Sequence, residues 1–171
     1  MRITRSFGFW GAATAAFLVF GQAGAANIRD YNYDKTAGEV TAVDERFVWR
    51  RCSEGQTWGG RACLGTPALF THEQALKLAQ AQPGWRLPTI KELSLLTERS
   101  KSMPSINTDA FPGTPSKPFW TSTPVPSLVG SAWAVDFANS RSIKIPRATS
   151  THVRLVRTTL GPQGLTRSDP D

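Results

Sequence analysis

Two cysteines, Cys52 and Cys63, are the first residues in this chain with types and spacing that could do chemistry. A C-x-x-C redox pair is excluded by the spacing. A metal site is disfavoured because neither His72 nor His152 is near in sequence. An even, closely spaced pair reads as a disulfide if the chain is exported. Such a loop would stabilise a fold by about 3 kcal/mol in the chain-entropy account. No G-x-S-x-G or H-E-x-x-H occurs, and no nucleophile stands beside either histidine. Glu92 and Asp136 could pair as carboxylates, but buried charges need partners, so Arg86, Arg154 or Arg157 should neutralise them in structural ion pairs. No catalytic residue, metal or cofactor is assigned.

Binding chemistry has two candidates. The first is Trp58, inside the Gly-rich segment CSEGQTWGGRAC. Little core is available there, so it is either an exposed ligand contact or a lid folded back on the domain. Trp49, Trp85, Trp120 and Trp133 sit among apolar neighbours and are expected in the core. The second is basic: Arg141, Lys144 and Arg147 alternate with Ile143 and Ile145, with no acid between Ser140 and Arg157. They read as an anion-binding face or as an ordinary solvated strand.

The elements that must position these residues begin after a leader. Arg2 and Arg5 precede an uncharged run from Phe7 to Phe20, then Ala23-Gly24-Ala25-Ala26. That order is a secretory signal peptide (1–25). The apolar run is shorter than the roughly 20 residues of a spanning helix, so no stable membrane span is expected after cleavage. The expected location is periplasmic, or secreted to the cell surface. The whole chain has net charge +7, and losing the two leader arginines leaves +5. That balance suits anionic partners but is too weak and scattered to indicate nucleic acid.

Residues 26–44 read as a polar N-terminal extension, 45–157 as one domain, and 158–171 as a frayed tail. Arg46 to Arg50 alternates like a half-buried strand. Thr71-x-x-Gln74 and Thr89-x-x-Glu92 are capping boxes that open two short helices. Ala75, Leu76 and Ala79 form the first apolar stripe, and Ile90, Leu93 and Leu96 the second. Strands are expected over Phe119–Ser122, Ala132–Phe137, Ser142–Ile145 and His152–Val156. The fold class is therefore α+β, two short helices packed on a small antiparallel sheet with long loops.

Taken in order, several segments resemble the Lcl C-terminal domain family, a bacterial exported domain. They are WRRC, GQTW, GWRLPTIKEL, INTDAFP, FWTST, AWAVDF and VRLVR, together spanning roughly Glu39 to Arg157. The resemblance implies a C-type-lectin-like fold related to formylglycine-generating enzymes. It makes Trp85, Arg86, Glu92, Trp120, Trp133, Asp136, Arg154 and Arg157 motif residues. It implies a non-enzymatic binding module for glycans or matrix, with an anionic or sulfated glycan, or another envelope protein, as partner. An accessory factor of an envelope assembly such as a pilus is the alternative. An enzyme of the formylglycine-generating type is disfavoured, because the catalytic cysteines of that family have no counterpart here. The usual T-G-L is Arg46-Phe47-Val48, and the last-strand Cys is Leu155. The E-P-N and W-N-D signatures of calcium-dependent lectins are missing.

Overall fold

The computed structural model describes residues 31–32, 38–42 and 47–158. The expected signal peptide (1–25), residues 26–30, 33–37 and 43–46, and residues 159–171 of the expected tail lie outside the described residues.

The architecture is α+β, with two short helices and three small antiparallel sheets. The first sheet has the order β1 (Tyr31–Asn32), β2 (Glu39–Ala42), β3 (Phe47–Arg50) and β9 (Val156–Thr158). The second is the hairpin β4 (Thr57–Trp58) and β5 (Cys63–Leu64). The third is β6 (Pro118–Pro124), β7 (Ser131–Asp136) and β8 (Arg141–Pro146). Its α-helices are α1 (His72–Gln80) and α2 (Ile90–Ser94).

Both capping boxes form. The Thr71 and Thr89 side chains accept from the Gln74 and Glu92 backbone N–H groups, and those side chains return the bond to the cap backbone. Each satisfies two of the amides a helix start leaves unpaired. This matters for helices of nine and five residues, too short to persist on propensity alone.

The expected stripes meet the third sheet on opposite faces. Ala75 and Ala79 of α1 pack with Trp120, Ala132, Ala134, Val153 and Leu155. Leu93 and Leu96 pack with Phe119 and Val135, and with Val40, Trp49 and Val156 of the first sheet. One sheet thus separates two apolar clusters, and alternate residues along β6 and β7 serve different ones.

Two expectations are corrected. Residues 26–44 are not loop throughout: Tyr31–Asn32 and Glu39–Ala42 are strands, and Val40 opposes Trp49 across the β2–β3 pair. Their side chains gave no alternation because only Val40 and Tyr31 meet the apolar cluster. The strand expected over His152–Val156 begins only at Val156. Thr151 to Val156 is buried throughout, and its neighbours change residue by residue. Thr151 bridges Phe70 and His152 bridges Phe119. The Val153 and Leu155 carbonyls then accept from Glu54 and Arg50. A segment that switches partners this way reads as a strand in sequence but forms no ladder.

Leu93 is fully buried, whereas its neighbour Leu95 is only partly so. Leu93→Ala should therefore cost about 2–5 kcal/mol of unfolding free energy, and Leu95→Ala about 1 kcal/mol or less. Urea unfolding at neutral pH measures both, and equal costs would contradict this packing.

Candidate functional site

The expected disulfide is present. Cys52 and Cys63 are joined with Cα atoms 5.5 Å apart, and the bridge closes the β4–β5 hairpin. Trp58 stands opposite Cys63 in that hairpin. It is neither a free flag nor a fully buried lid. The guanidinium of Arg51 lies 4.0 Å from its ring centroid. A Cβ at Gly38 would approach the Trp58 Cβ to 2.8 Å, and Gly38 has φ +64°. Only glycine allows that approach and that backbone angle together. Arg51 is itself anchored, donating from Nε to the Ala110 carbonyl at 3.0 Å and from Nη2 to the Asp109 carbonyl at 2.6 Å.

Trp58 forms one wall of a cleft of about 270 Å³, and Trp85 lines it too. The turn before α2 supplies Trp85. Gly84, at φ +79°, reverses the chain, and Arg86 exchanges two backbone hydrogen bonds with Val156. Between the tryptophans lie Arg50, Ser53, Glu54 and Gln56.

The polar groups of the cleft are cross-linked. Arg50 donates from Nη2 to the side-chain amide oxygen Oε1 of Gln82 and lies 3.7 Å from Glu54. Gln82 in turn donates to Glu54 at 3.3 Å. Arg157 donates to Glu39 at 2.6 Å. Both guanidiniums sit near Trp85, with Arg50 at 4.7 Å and Arg157 at 5.4 Å from its ring centroid. Arg50 and Arg157 thus each have a carboxylate, and Arg51 gives donors to backbone carbonyls. Among the described residues, Ser53 Oγ, on a residue only 1% exposed, Gln56 Oε1 and Arg50 Nε are buried without a hydrogen-bond partner. Buried polar atoms normally find one.

Sequence reasoning missed Arg50, Ser53, Glu54 and Gln56. The available signal was the polar run Arg50 to Thr57 beside a cysteine, too dense in hydrogen-bonding groups for an ordinary loop.

The motif residues divide. Arg86 and Glu92 form the expected ion pair, bidentate at 2.7 and 2.8 Å, and Glu92 also accepts from the Thr89 N–H at 2.7 Å. Asp136 takes no arginine: its carboxylate accepts from the Ala138 N–H in the turn after β7. Arg154 is fully buried and, among the described residues, pairs with no carboxylate; its Nη1 and Nη2 donate to the Arg50 and Arg51 carbonyls and to Thr114 Oγ1. Trp49 and Trp120 are core residues, but Trp85 and Trp133 are only partly buried. Both border loops or an edge strand, where one ring face has no element to meet.

The three cations of the basic run are not brought together. Arg141 and Lys144 are an odd number of positions apart on β8, so they leave opposite faces. Lys144 lies 5.1 Å from the centroid of Trp133, its cross-strand partner. Arg147 lies beyond the strand, roughly 20 Å from Arg141 at the usual rise, and donates to the Ser131 carbonyl. Among the described residues no group of three His, Cys, Asp or Glu could hold a metal ion.

Residues 38–157 match the Lcl C-terminal domain. The chain belongs to that family. Among curated proteins, none matches it significantly. In this Lcl C-terminal domain the GWRLPTIKEL segment thus does two jobs: it places Trp85 in the cleft and starts α2 through the Arg86–Glu92–Thr89 cap.

That cap makes stability depend on pH. Burial works to raise the Glu92 pKa, but hydrogen bonds from Arg86 and Thr89 and the Arg86 charge outweigh it and hold the carboxyl below 4.5. A depressed carboxyl contributes stability above its unfolded value, and that contribution is lost as pH falls through the folded value. Burial also lowers the His72 and His152 pKa values below 6.5, so they oppose folding increasingly below that pH. Wild type and Glu92→Gln should both weaken below about pH 6.5 through the histidines. The gap between their unfolding midpoints should close only below about pH 4.5. A gap that does not narrow as pH falls below about 4.5 would contradict the assignment.

Proposed function

We propose that this Lcl C-terminal domain is an exported, non-enzymatic binding module for glycans, and that the cleft between Trp58 and Trp85 is its site. The observation that carries the reading is the composition of that cleft. Two indoles offer apolar faces for the C–H surfaces of a sugar ring. Carboxylate, guanidinium, amide and hydroxyl groups offer the planar and paired hydrogen bonds that ring hydroxyls require. A neutral saccharide is favoured in this cleft over a sulfated one, because Arg50 and Arg157 are already paired with carboxylates.

The finer fold assignment, C-type-lectin-like, belongs to the same proposal. It is supported by family membership and by a disulfide-closed loop beside a helix-flanked antiparallel sheet. Periplasmic or cell-surface location rests on the leader sequence. A formylglycine-generating type of enzyme stays disfavoured, since both cysteines are bridged to each other.

One observation favours the second reading, an accessory part of an envelope assembly. The β6–β7 connection carries Leu128 at 50% and Val129 at 99% exposure, apolar surface that a protein partner would cover.

A glycan array on the purified protein separates these. The cleft reading predicts retention of neutral glycans with little salt dependence. Trp58→Ala should weaken binding by roughly 30-fold, as loss of a central aromatic anchor does. Trp58→Phe should restore part of it, with thermal unfolding as the control for folding. If only heparin-like glycans bind, salt abolishes it, and alanine at Arg141, Lys144 and Arg147 removes it, the site lies on the basic run instead. If no glycan binds and an envelope protein co-purifies through Leu128 and Val129, the assembly reading stands.

A further inference from the structure

A second pocket lies away from the cleft, where the loop after α2 meets the turn between β7 and β8. The loop is closed at its base by a bridge between Thr97 and Ile106 and by the Glu98 N–H donating to the Ser105 carbonyl. Ser105, fully buried, clamps loop to turn. Its N–H and hydroxyl both donate to the Phe137 carbonyl, and its Oγ accepts from the Ser140 N–H. Ser140 sits at φ +57°, which bends the turn toward the loop. The two segments enclose about 550 Å³, lined by Arg99, Lys101, Ser102, Asn139, Ser140 and Arg141.

Three of the seven lining residues, Ala138 being the seventh, are cations, and none is an acid. Two acids lie close by, and both are engaged, Glu98 through Oε2 only. Glu98 pairs with Lys101 at 3.0 Å, and Asp136, opposite Arg141 in the β7–β8 register, accepts from Ala138. Among the described residues, neither Arg99 nor Arg141 has a carboxylate partner. Two unpaired guanidiniums facing one pocket match the bidentate geometry of a phosphate group, and serine hydroxyls and an asparagine amide complete a donor set. In the same loop, Met103 is 73% exposed and held at φ +50°. An apolar side chain displayed beside a cation cluster gains nothing in water but inserts readily at the boundary between headgroups and acyl chains.

We propose that this pocket binds the phosphate of an anionic lipid headgroup, with Met103 entering the membrane interface beside it. The recognised chemistry is a phosphate ester. The lipid is the source because the apolar contact adjoins the charge. This inference is independent of the glycan reading.

Vesicle co-sedimentation tests it, using phosphatidylcholine vesicles with and without phosphatidylglycerol, with the full chain and its variants. The protein should sediment with the phosphatidylglycerol vesicles and not with phosphatidylcholine alone. Arg99→Gln with Arg141→Gln should weaken that binding by roughly 30-fold, since each cation near an anionic surface contributes about a fivefold factor. Arg99→Gln alone, at an exposed site, should show part of the loss and guards against a folding defect in the double variant. Met103→Ser should weaken vesicle binding and leave any binding of inorganic phosphate unchanged. The proposal is overturned by equal binding to both vesicle types, or by wild-type binding in the Arg99 and Arg141 variants. Full competition by inorganic phosphate, with no effect of Met103→Ser, would also overturn it and make the ligand a free phosphate.

Discussion

A guanidinium buried without a carboxylate is the constraint on which the rest of this domain depends. Arg154 has no solvent exposure, and burial pulls its pKa down to about 9, with the nearby Glu54 charge opposing that fall. It remains a cation at neutral pH, and its burial is tolerable because both terminal nitrogens are used, while Nε has no partner among the described residues. Nη1 reaches the carbonyls of Arg50, at 2.6 Å, and of Arg51, and Nη2 reaches Thr114 Oγ1 at 2.7 Å. Its flat faces are covered by Phe111 at 4.7 Å and Phe119 at 5.8 Å. One side chain therefore ties the turn out of β3 to the loop before β6. That turn leads directly to Cys52, Ser53 and Glu54, and so to the cleft.

The cleft inherits its shape from this tie through short covalent and polar links. Arg50 and Arg51 point their side chains to different sides of the turn. Arg50 goes to Gln82, Glu54 and Trp85, and Arg51 to Ala110, Asp109 and Trp58. The disulfide then fixes the hairpin that carries Trp58. Both tryptophan walls are thus referred to two consecutive residues whose carbonyls Arg154 holds. Aromatic walls around fixed polar groups are a preorganised surface, which lowers the ordering cost of binding.

What could be read from the sequence was local. The capping boxes at Thr71 and Thr89, the stripe of Leu93 and Leu96, the disulfide and the Arg86–Glu92 pair each involve residues within about a dozen positions, where spacing and chemistry speak directly. The strands at β6, β7 and β8 also showed through their alternation. The misses were long-range. Arg154 lies 104 positions from Arg50, and Arg157 lies 118 from Glu39, so no spacing rule pairs them. The segment His152 to Val156 looked like a strand because it is a short apolar piece after a Pro- and Ser-rich stretch, but its partners change along its length. The basic run looked like one face because its charges are close in sequence, whereas the pleat sends Arg141 and Lys144 to opposite sides and joins Arg141 to Arg99 and Lys101 instead.

The central claim is that the Arg154 fork, and not its charge alone, holds the turn that builds the cleft. Arg154→Lys keeps the cation but loses the planar set of donors. Residue-resolved amide hydrogen exchange on wild type and this variant tests the claim directly. Exchange should accelerate by tenfold or more, roughly the effect of losing a charge-assisted hydrogen bond, at amides from Arg50 to Trp58. Protection in α1 and in β6 to β8 should stay close to wild type. Unchanged protection from Arg50 to Trp58 would contradict the account.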